Sequence, residues 1–326
     1  MMRQSFVALL MLVSPAALSA QPATTRLEAV SGIPKVDEKT QTEDVRFKSG
    51  ADDRLTVPVK LSGAGPFRFL VDTGADRTAI SRELAGRLGL EKGARASLHS
   101  VAGVSNVSTA YVPDLELTRK PVKIYDAPLL ESANMGADGI IGVDSLRSQR
   151  VLFDFETQTL SIVPSAIPDF KDEPGTIVVE AIRRNGRLVV TDAAANGRTL
   201  TVVIDTGAQL SIGNQALRQV LMGRDLVDPS QKVDLQSVTG AILTGDYMFV
   251  RELDIGGLTL KNLAIVFADA HTFRELKLDK RPALLLGMNA IRAFKKVSID
   301  FANQKFRVVL PETSEADVRL AEARAQ

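Results

Sequence analysis

Apolar residues in this chain fall mostly in short runs broken by glycine and polar turns, the spacing of β-strands rather than of long helices. Two stretches carry the pattern most clearly. Leu55–Ala75 reads LTVPVKLSGAGPFRFLVDTGA, and Leu188–Ala208 reads LVVTDAAANGRTLTVVIDTGA. In each, a β-rich run, a glycine-containing turn and a second β-rich run predict a hairpin, and the second strand runs straight into Asp-Thr-Gly-Ala. Leu55 precedes Asp72 by 17 residues and Leu188 precedes Asp205 by 17, so the two hairpins have one length.

The self-similarity continues downstream, which is the signature of a duplicated unit. Leu98-His-Ser-Val-Ala-Gly103 matches Leu235-Gln-Ser-Val-Thr-Gly240. Ile140-Ile-Gly142 matches Leu285-Leu-Gly287, each followed by a predicted short helix, and Phe153-Asp-Phe155 matches Ile299-Asp-Phe301 in closing strands. The offset between copies grows from 133 at Asp-Thr-Gly through 137 at Ser-Val-x-Gly to 145 at the two later glycines. Offsets that grow slowly and never reset describe one unit copied once, with small loop insertions. Chance likeness between β-rich segments does not explain four motifs in one order.

The predicted organisation is a first mainly β lobe over 44–163, a Pro-containing hinge over 164–175, a second lobe over 176–311 and a polar tail over 312–326. Residues 1–20 have a cationic start at Arg3, an apolar core from Phe6 to Val13 and small residues ending at Ala20. That is the layout of a secretory signal peptide, too short to span a bilayer. Residues 21–43 are polar and aperiodic, a linker or pro-segment. The expected location is outside the inner membrane, in the periplasm, with no membrane span in the mature protein.

Composition narrows the chemistry. The 326 residues include no cysteine and two histidines, His99 and His271, with 40 Lys+Arg against 39 Asp+Glu. No cysteine excludes a thiol nucleophile, a disulfide framework and a thiolate metal site. Two histidines argue against a multi-His metal site, because both would have to converge on one centre, so no metal or other cofactor is expected. A Ser-His-Asp triad survives only with one of those two rings. Balanced charge gives no basic surface for nucleic acid. If the chain is a hydrolase, carboxylates are the foremost catalysts left.

An aspartate directly after three apolar strand residues is costly unless its charge is paired, hydrogen-bonded or removed by protonation. Threonine adds a hydroxyl that can donate to backbone carbonyls, glycine allows close approach of another segment, and alanine keeps that approach open. One such loop is ordinary turn chemistry. Two copies on one duplicated hairpin are not. Lobes facing each other about a pseudo-twofold axis would bring Asp72 and Asp205 together, where two adjacent carboxyls share one proton.

At these residues the chain resembles the retropepsin-like aspartic proteases, in a form with two lobes fused in one chain. The resemblance implies a mainly β fold of two homologous acid-protease β-barrel lobes related by pseudo-twofold symmetry, and an exported endopeptidase acting on polypeptide. It implies catalytic Asp72 and Asp205, supported by Thr73, Gly74, Ala75, Thr206, Gly207 and Ala208. Ile140, Ile141, Gly142 and Leu285, Leu286, Gly287 correspond to the motif that backs those loops. The flaps over substrate correspond to Ser100, Val101, Gly103 and to Ser237, Val238, Gly240. The run after the loop stands as Thr78-Ala-Ile-Ser81 in lobe one and reads as shortened to Ser211-Ile-Gly213 in lobe two. Neither flap carries the tyrosine of pepsin-like enzymes. With both acids in one chain, oligomerisation is not required to build the site. The alternative is a catalytically silent peptide-binding or scaffolding module on the same fold.

The remaining residues read as structural. His99 stands opposite Gln236 in the repeat and is expected to face solvent on its flap, and His271 lies incidentally in a polar inserted loop. Asp154 and Asp300 are expected as turn or edge acids. Gly136–Gly142 lacks the lysine of a phosphate loop, and Ser145 and Ser211 lack a nucleophile elbow.

Overall fold

The structure, a computed structural model, describes residues 55–117, 121–166, 173–222 and 226–311, together with the short strands Ser5–Val7, Thr25–Arg26 and Val45–Arg46. The expected signal peptide, the linker over 21–43 and the tail over 312–326 otherwise lie outside the described residues. So does the middle of the expected hinge.

The first lobe is a closed barrel in the order Val122–Leu130, Ala79–Ser81, Gly139–Ile141, Ala64–Val71, Thr56–Leu61, Thr109–Glu116. The alternation in Thr56–Leu61 places Val57, Val59 and Leu61 inside, and the neighbouring strand ends with Phe69, Leu70 and Val71 all buried. Both sides of that end are covered: Phe69 and Val71 belong to the main core, and Leu70 to a second apolar cluster with Ala75, Ile140 and Val238.

The second lobe repeats the order. Arg187–Val190, Thr201–Ile204, Ala283–Leu286, Ser211–Gly213, Leu258–Phe267 and Ile242–Ile255 are neighbours in turn. Where the first barrel closes through Lys60–Glu116 and Leu61–Leu115 pairing, the second does so with a broken strand. Ala193–Ala195 resumes after Arg187–Val190 and pairs with Ile242–Ile255. The protein is therefore mainly β, two lobes of one plan.

A third sheet joins them. The hairpin Gln149–Asp154/Thr159–Pro164 lies edge to edge with Lys296–Asp300/Lys305–Val309, through the pairs Arg150–Asp300, Leu152–Ser298 and Asp154–Lys296. Thr176–Glu180 extends it on one side and Val45–Arg46 on the other. Phe153, Ile299, Phe301 and Phe306 from this sheet are fully buried in a core continuous with both barrels. Asp154 and Asp300 do stabilise turns: Asp154 Oδ1 accepts from the backbone N–H of Glu156 and Thr157, at 3.0 and 2.9 Å, and Asp300 Oδ1 from Asn303, at 2.9 Å. They sit on the two central strands of the sheet, however, not on an edge. Among the described residues no helix is long and apolar enough to cross a membrane.

Candidate active site

Each Asp-Thr-Gly-Ala segment leaves the sheet at the end of a buried strand. The amide of Asp72 donates to Ile141 O at 3.0 Å and that of Asp205 to Leu286 O at 3.0 Å. The backing motif then turns along the loop, with Val143 N donating to Ala75 O at 2.7 Å and Met288 N to Ala208 O at 2.6 Å. Glycine is required there: a Cβ on Gly142 would lie 2.4 Å from the backbone of Arg77, and one on Gly287 2.7 Å from that of Leu210. This close approach is the physical content of the apolar-apolar-Gly pattern.

The run that follows is not shortened in lobe two. Thr78 Oγ1 accepts from Gly142 N at 3.1 Å, and Ser211 Oγ accepts from Gly287 N at 3.1 Å. Thr78 in turn donates through N and Oγ1 to Asp144 Oδ1, as Ser211 does to Asn289 Oδ1, all within 2.9 Å. Ser81 and Asn214 then cap the next helices by accepting from Leu84 and Leu217. Ser211-Ile-Gly-Asn214 thus matches Thr78-Ala-Ile-Ser81 position for position; asparagine for serine at the cap hid the match in the sequence.

The two loops meet across the lobes. Thr73 N donates to Thr206 Oγ1 and Thr206 N to Thr73 Oγ1, both at 3.0 Å. Each hydroxyl donates onward, Thr73 Oγ1 to Ile204 O at 3.2 Å and Thr206 Oγ1 to Val71 O at 2.8 Å. These four buried bonds tie each loop to the base of the other strand. Because a buried polar group left without a partner costs about 1–3 kcal/mol, the lattice fixes the loops' relative position.

Asp72 and Asp205 are fully buried. Asp72 Oδ1 accepts from Gly74 N at 2.8 Å and Ala75 N at 3.0 Å, and Asp205 Oδ1 from Gly207 N at 3.1 Å. Asp72 Oδ2 is buried and has no hydrogen-bond partner among the described residues. Gly207 faces the Asp72 carboxyl so closely that a Cβ there would fall 2.4 Å from it. Burial first, and the neighbouring Asp205 second, push the Asp72 carboxyl well above the usual carboxylate range; the amides of Gly74 and Ala75 and the Arg187 guanidinium oppose that rise.

Arg187 and Asp76 belong to this site and escaped the sequence reading. Arg187 is fully buried, donates from Nε to Gly74 O at 2.9 Å, and places Nη1 3.6 Å from the buried Asp76 Oδ1. A second-lobe cation thereby braces the first-lobe loop. The signal was present: Arg187-Leu188 repeats Arg54-Leu55 at the offset of the catalytic motif. Asp76, by contrast, has Gln209 as its counterpart.

The hairpins assigned as flaps are Ala96–Ser100/Gly103–Val107 and Leu226–Gln236/Ile242–Ile255. Their tips cross over. Val101 is buried in an apolar cluster with Val203, Ala208, Ile212 and Phe273 of the second lobe, and Val238 in one with Leu70, Ala75, Leu130 and Ile140 of the first. Ser100 and Ser237 brace the turns: Ser100 Oγ donates to Gly103 O at 3.2 Å, and Gly240 N donates to Ser237 O at 2.8 Å. Beside the second tip, Gln236 Nε2 donates to Asn134 Oδ1 at 2.9 Å.

Beside the first tip the expectation for the histidines fails. His99 is not solvent-facing and His271 is not incidental: their side chains are 14% and 15% exposed, and they meet. His99 Nδ1 lies 3.0 Å from His271 Nε2 and 3.0 Å from Glu275 Oε1, and His271 Nε2 lies 3.3 Å from the same oxygen. The convergence that two histidines were expected not to achieve occurs because the flap crosses to the other lobe. A separate cavity of about 530 Å³, lined by Leu61, Ser62, Leu90 and Tyr111 among others, shares no residue with the aspartate loops.

Comparison with known families falls on the two lobes separately. The family model described as "gag-polyprotein putative aspartyl protease" matches residues 57–148, and the model described as "Aspartyl protease" matches residues 191–290. No curated protein matches the chain significantly. One aspartyl protease domain on each barrel, in tandem and with the two Asp-Thr-Gly-Ala loops interlocked, means that the chain belongs to the retropepsin-like aspartic proteases, as a member with both lobes in one polypeptide.

Proposed function

We propose that this protein is an exported aspartic endopeptidase that hydrolyses peptide bonds with water activated by Asp72 and Asp205, in a cleft between the lobes. The observation that carries this reading is the fully buried aspartate pair on interlocked loops, with Asp72 Oδ2 unpartnered and the Asp72 carboxyl pushed up by burial and by Asp205. One proton held between two such carboxyls leaves one ionised and one protonated.

The ionised carboxyl takes a proton from water as the water oxygen bonds to the substrate carbonyl carbon. The protonated carboxyl gives its proton to the carbonyl oxygen, and the result is a tetrahedral gem-diol. Proton transfer to the amide nitrogen then releases the amine as the C–N bond breaks and the carbonyl re-forms. An extended peptide suits the space under two β-hairpins, because its backbone can bond to them as a strand does. The Val101 and Val238 tips would lift from the opposite lobes to admit it.

Export rests on the composition of residues 1–20, and the periplasm is the proposed destination. The deciding experiment is cleavage of a diverse peptide library, read by mass spectrometry from acidic to neutral pH, with the Asp72→Asn protein as control. Cleavage by the native protein alone supports the reading. Binding without cleavage at any pH would show a silent peptide-binding module instead.

A further inference from the structure

The chain's two histidines come from opposite lobes, one on the first flap hairpin and one on the helix His271–Glu275, and meet at a carboxylate. His99 Nδ1, His271 Nε2 and Glu275 Oε1 form a triangle with edges of 3.0, 3.0 and 3.3 Å. Hydrogen bonding alone cannot satisfy that triangle. An imidazole N–H lies in its ring plane and serves one acceptor well, so if both nitrogens donate to the carboxylate, two N–H groups face each other. If only one nitrogen carries a proton, one edge sets lone pair against lone pair. A cation at the centre satisfies all three atoms at once.

We propose that His99, His271 and Glu275 form a binding site for a divalent transition-metal ion of the zinc class, which pins the first flap to the second lobe. Two imidazoles and a carboxylate are a favoured ligand set for such an ion. Bonds of about 2.0–2.1 Å in a tetrahedral arrangement put ligand atoms about 3.3–3.4 Å apart, so the triangle needs to open by only a few tenths of an ångström. His271 and Glu275 are four residues apart on one helical face. Side-chain exposures of 14, 15 and 29% leave room for water as a fourth ligand. Arg274, on the same helix, is engaged elsewhere, with Nη1 2.7 Å from both oxygens of Asp269.

The site coincides with the flap's docking contact. His271 N donates to Val101 O at 2.7 Å, beside the buried Val101 side chain. At the equivalent place on the other flap stand Gln236 and Asn134, an amide pair that makes one hydrogen bond and offers no nitrogen lone pair to a metal. The pinning is thus specific to one flap. Its effect on turnover rests on the endopeptidase reading: a pinned flap keeps the aspartate pair covered and slows substrate entry.

Zinc titration of the purified full-length protein by calorimetry, with cobalt absorption as a spectroscopic probe of coordination, tests the site without reference to cleavage. One ion per chain is expected, with affinity lowered at least about tenfold in His99→Gln, the residue type of its repeat counterpart, and in His271→Gln. Hydrogen exchange over residues 96–107 should slow with zinc in the native protein and not in either variant. Asp72→Asn should bind zinc like the native protein. No saturable binding, binding untouched by both histidine substitutions, or binding lost in Asp72→Asn would each overturn the site, the last by placing the ion at the aspartates. Unchanged exchange at 96–107 on binding would overturn the pinning. Cleavage assayed separately, with and without zinc, tests the endopeptidase reading: a protein that binds zinc and never cleaves refutes that reading alone.

Discussion

The two flap hairpins solve one packing problem with different chemistry. Both bury a valine from the turn, Val101 or Val238, in the apolar core of the opposite lobe. Both add a polar contact to the short helix that precedes the backing strand, from His99 in one case and Gln236 in the other. On the second flap that contact is a neutral amide pair. On the first it is two imidazoles and a carboxylate. Duplication supplied the backbone, and divergence of a few side chains then gave the copies different polar contacts. The same asymmetry runs through the loops, where Asp76 and Asp144 of the first lobe stand opposite Gln209 and Asn289 of the second.

The sharpest test is whether the lobes are equivalent where chemistry requires it. Asp72→Asn and Asp205→Asn should each lower peptide cleavage by about 10³-fold or more, since each removes a proton donor or acceptor from the reaction. Substantial activity in either would break the shared pair. The raised Asp72 pKa also has a stability consequence. Its folded-state value lies above the unfolded one, so its contribution is full below the unfolded value near 3.8 and is lost as pH rises through the folded value. Urea unfolding across that range should show stability falling with pH, with a shallower slope in Asp72→Asn.

Next in size is the one-sided brace. Arg187→Leu removes a buried cation that bonds Gly74 O and faces Asp76. A loss of about 3 kcal/mol in unfolding free energy is expected, the scale for breaking a buried ion pair from one side. A loss below 1 kcal/mol would mean that the first loop is braced by its own lobe.

The valine tips should behave alike. Val101→Ala and Val238→Ala each weaken docking by less than the roughly 1.5–3 kcal/mol of burying a whole valine side chain, seen as faster hydrogen exchange in the altered hairpin. A strongly unequal pair of effects would show that apolar docking, and not only the polar contact, has diverged.

The smallest effect is expected at the support beneath the first loop. Desolvation raises the Asp144 pKa, against the hydrogen bonds from Thr78 that lower it. Asp144→Asn copies Asn289 and keeps an acceptor for Thr78, so it should slightly stabilise the protein at pH 7, read by urea unfolding. That gain should shrink as pH falls and be gone below the unfolded value of 3.8. A loss at pH 7 would show that the charge itself supports the loop.

What the sequence determined was local and repetitive. Seventeen residues of hairpin before each Asp-Thr-Gly, and one motif order in both copies, define two β lobes, because strand alternation and turn chemistry act over a few neighbours. The threonine loops and glycine-bearing backing motifs were legible for the same reason. Legibility ended where side chains from distant segments meet. His99 and His271 are 172 residues apart, and no periodicity relates them; they converge only because one flap crosses to the other lobe. Arg187 reaches Gly74 and Asp76 across the same junction. The apparent shortening after Asp205 was also a limit of residue matching, since asparagine and serine cap a helix by the same bond. Sequence alone thus specified each lobe, whereas tertiary packing decided which groups face one another where the lobes join.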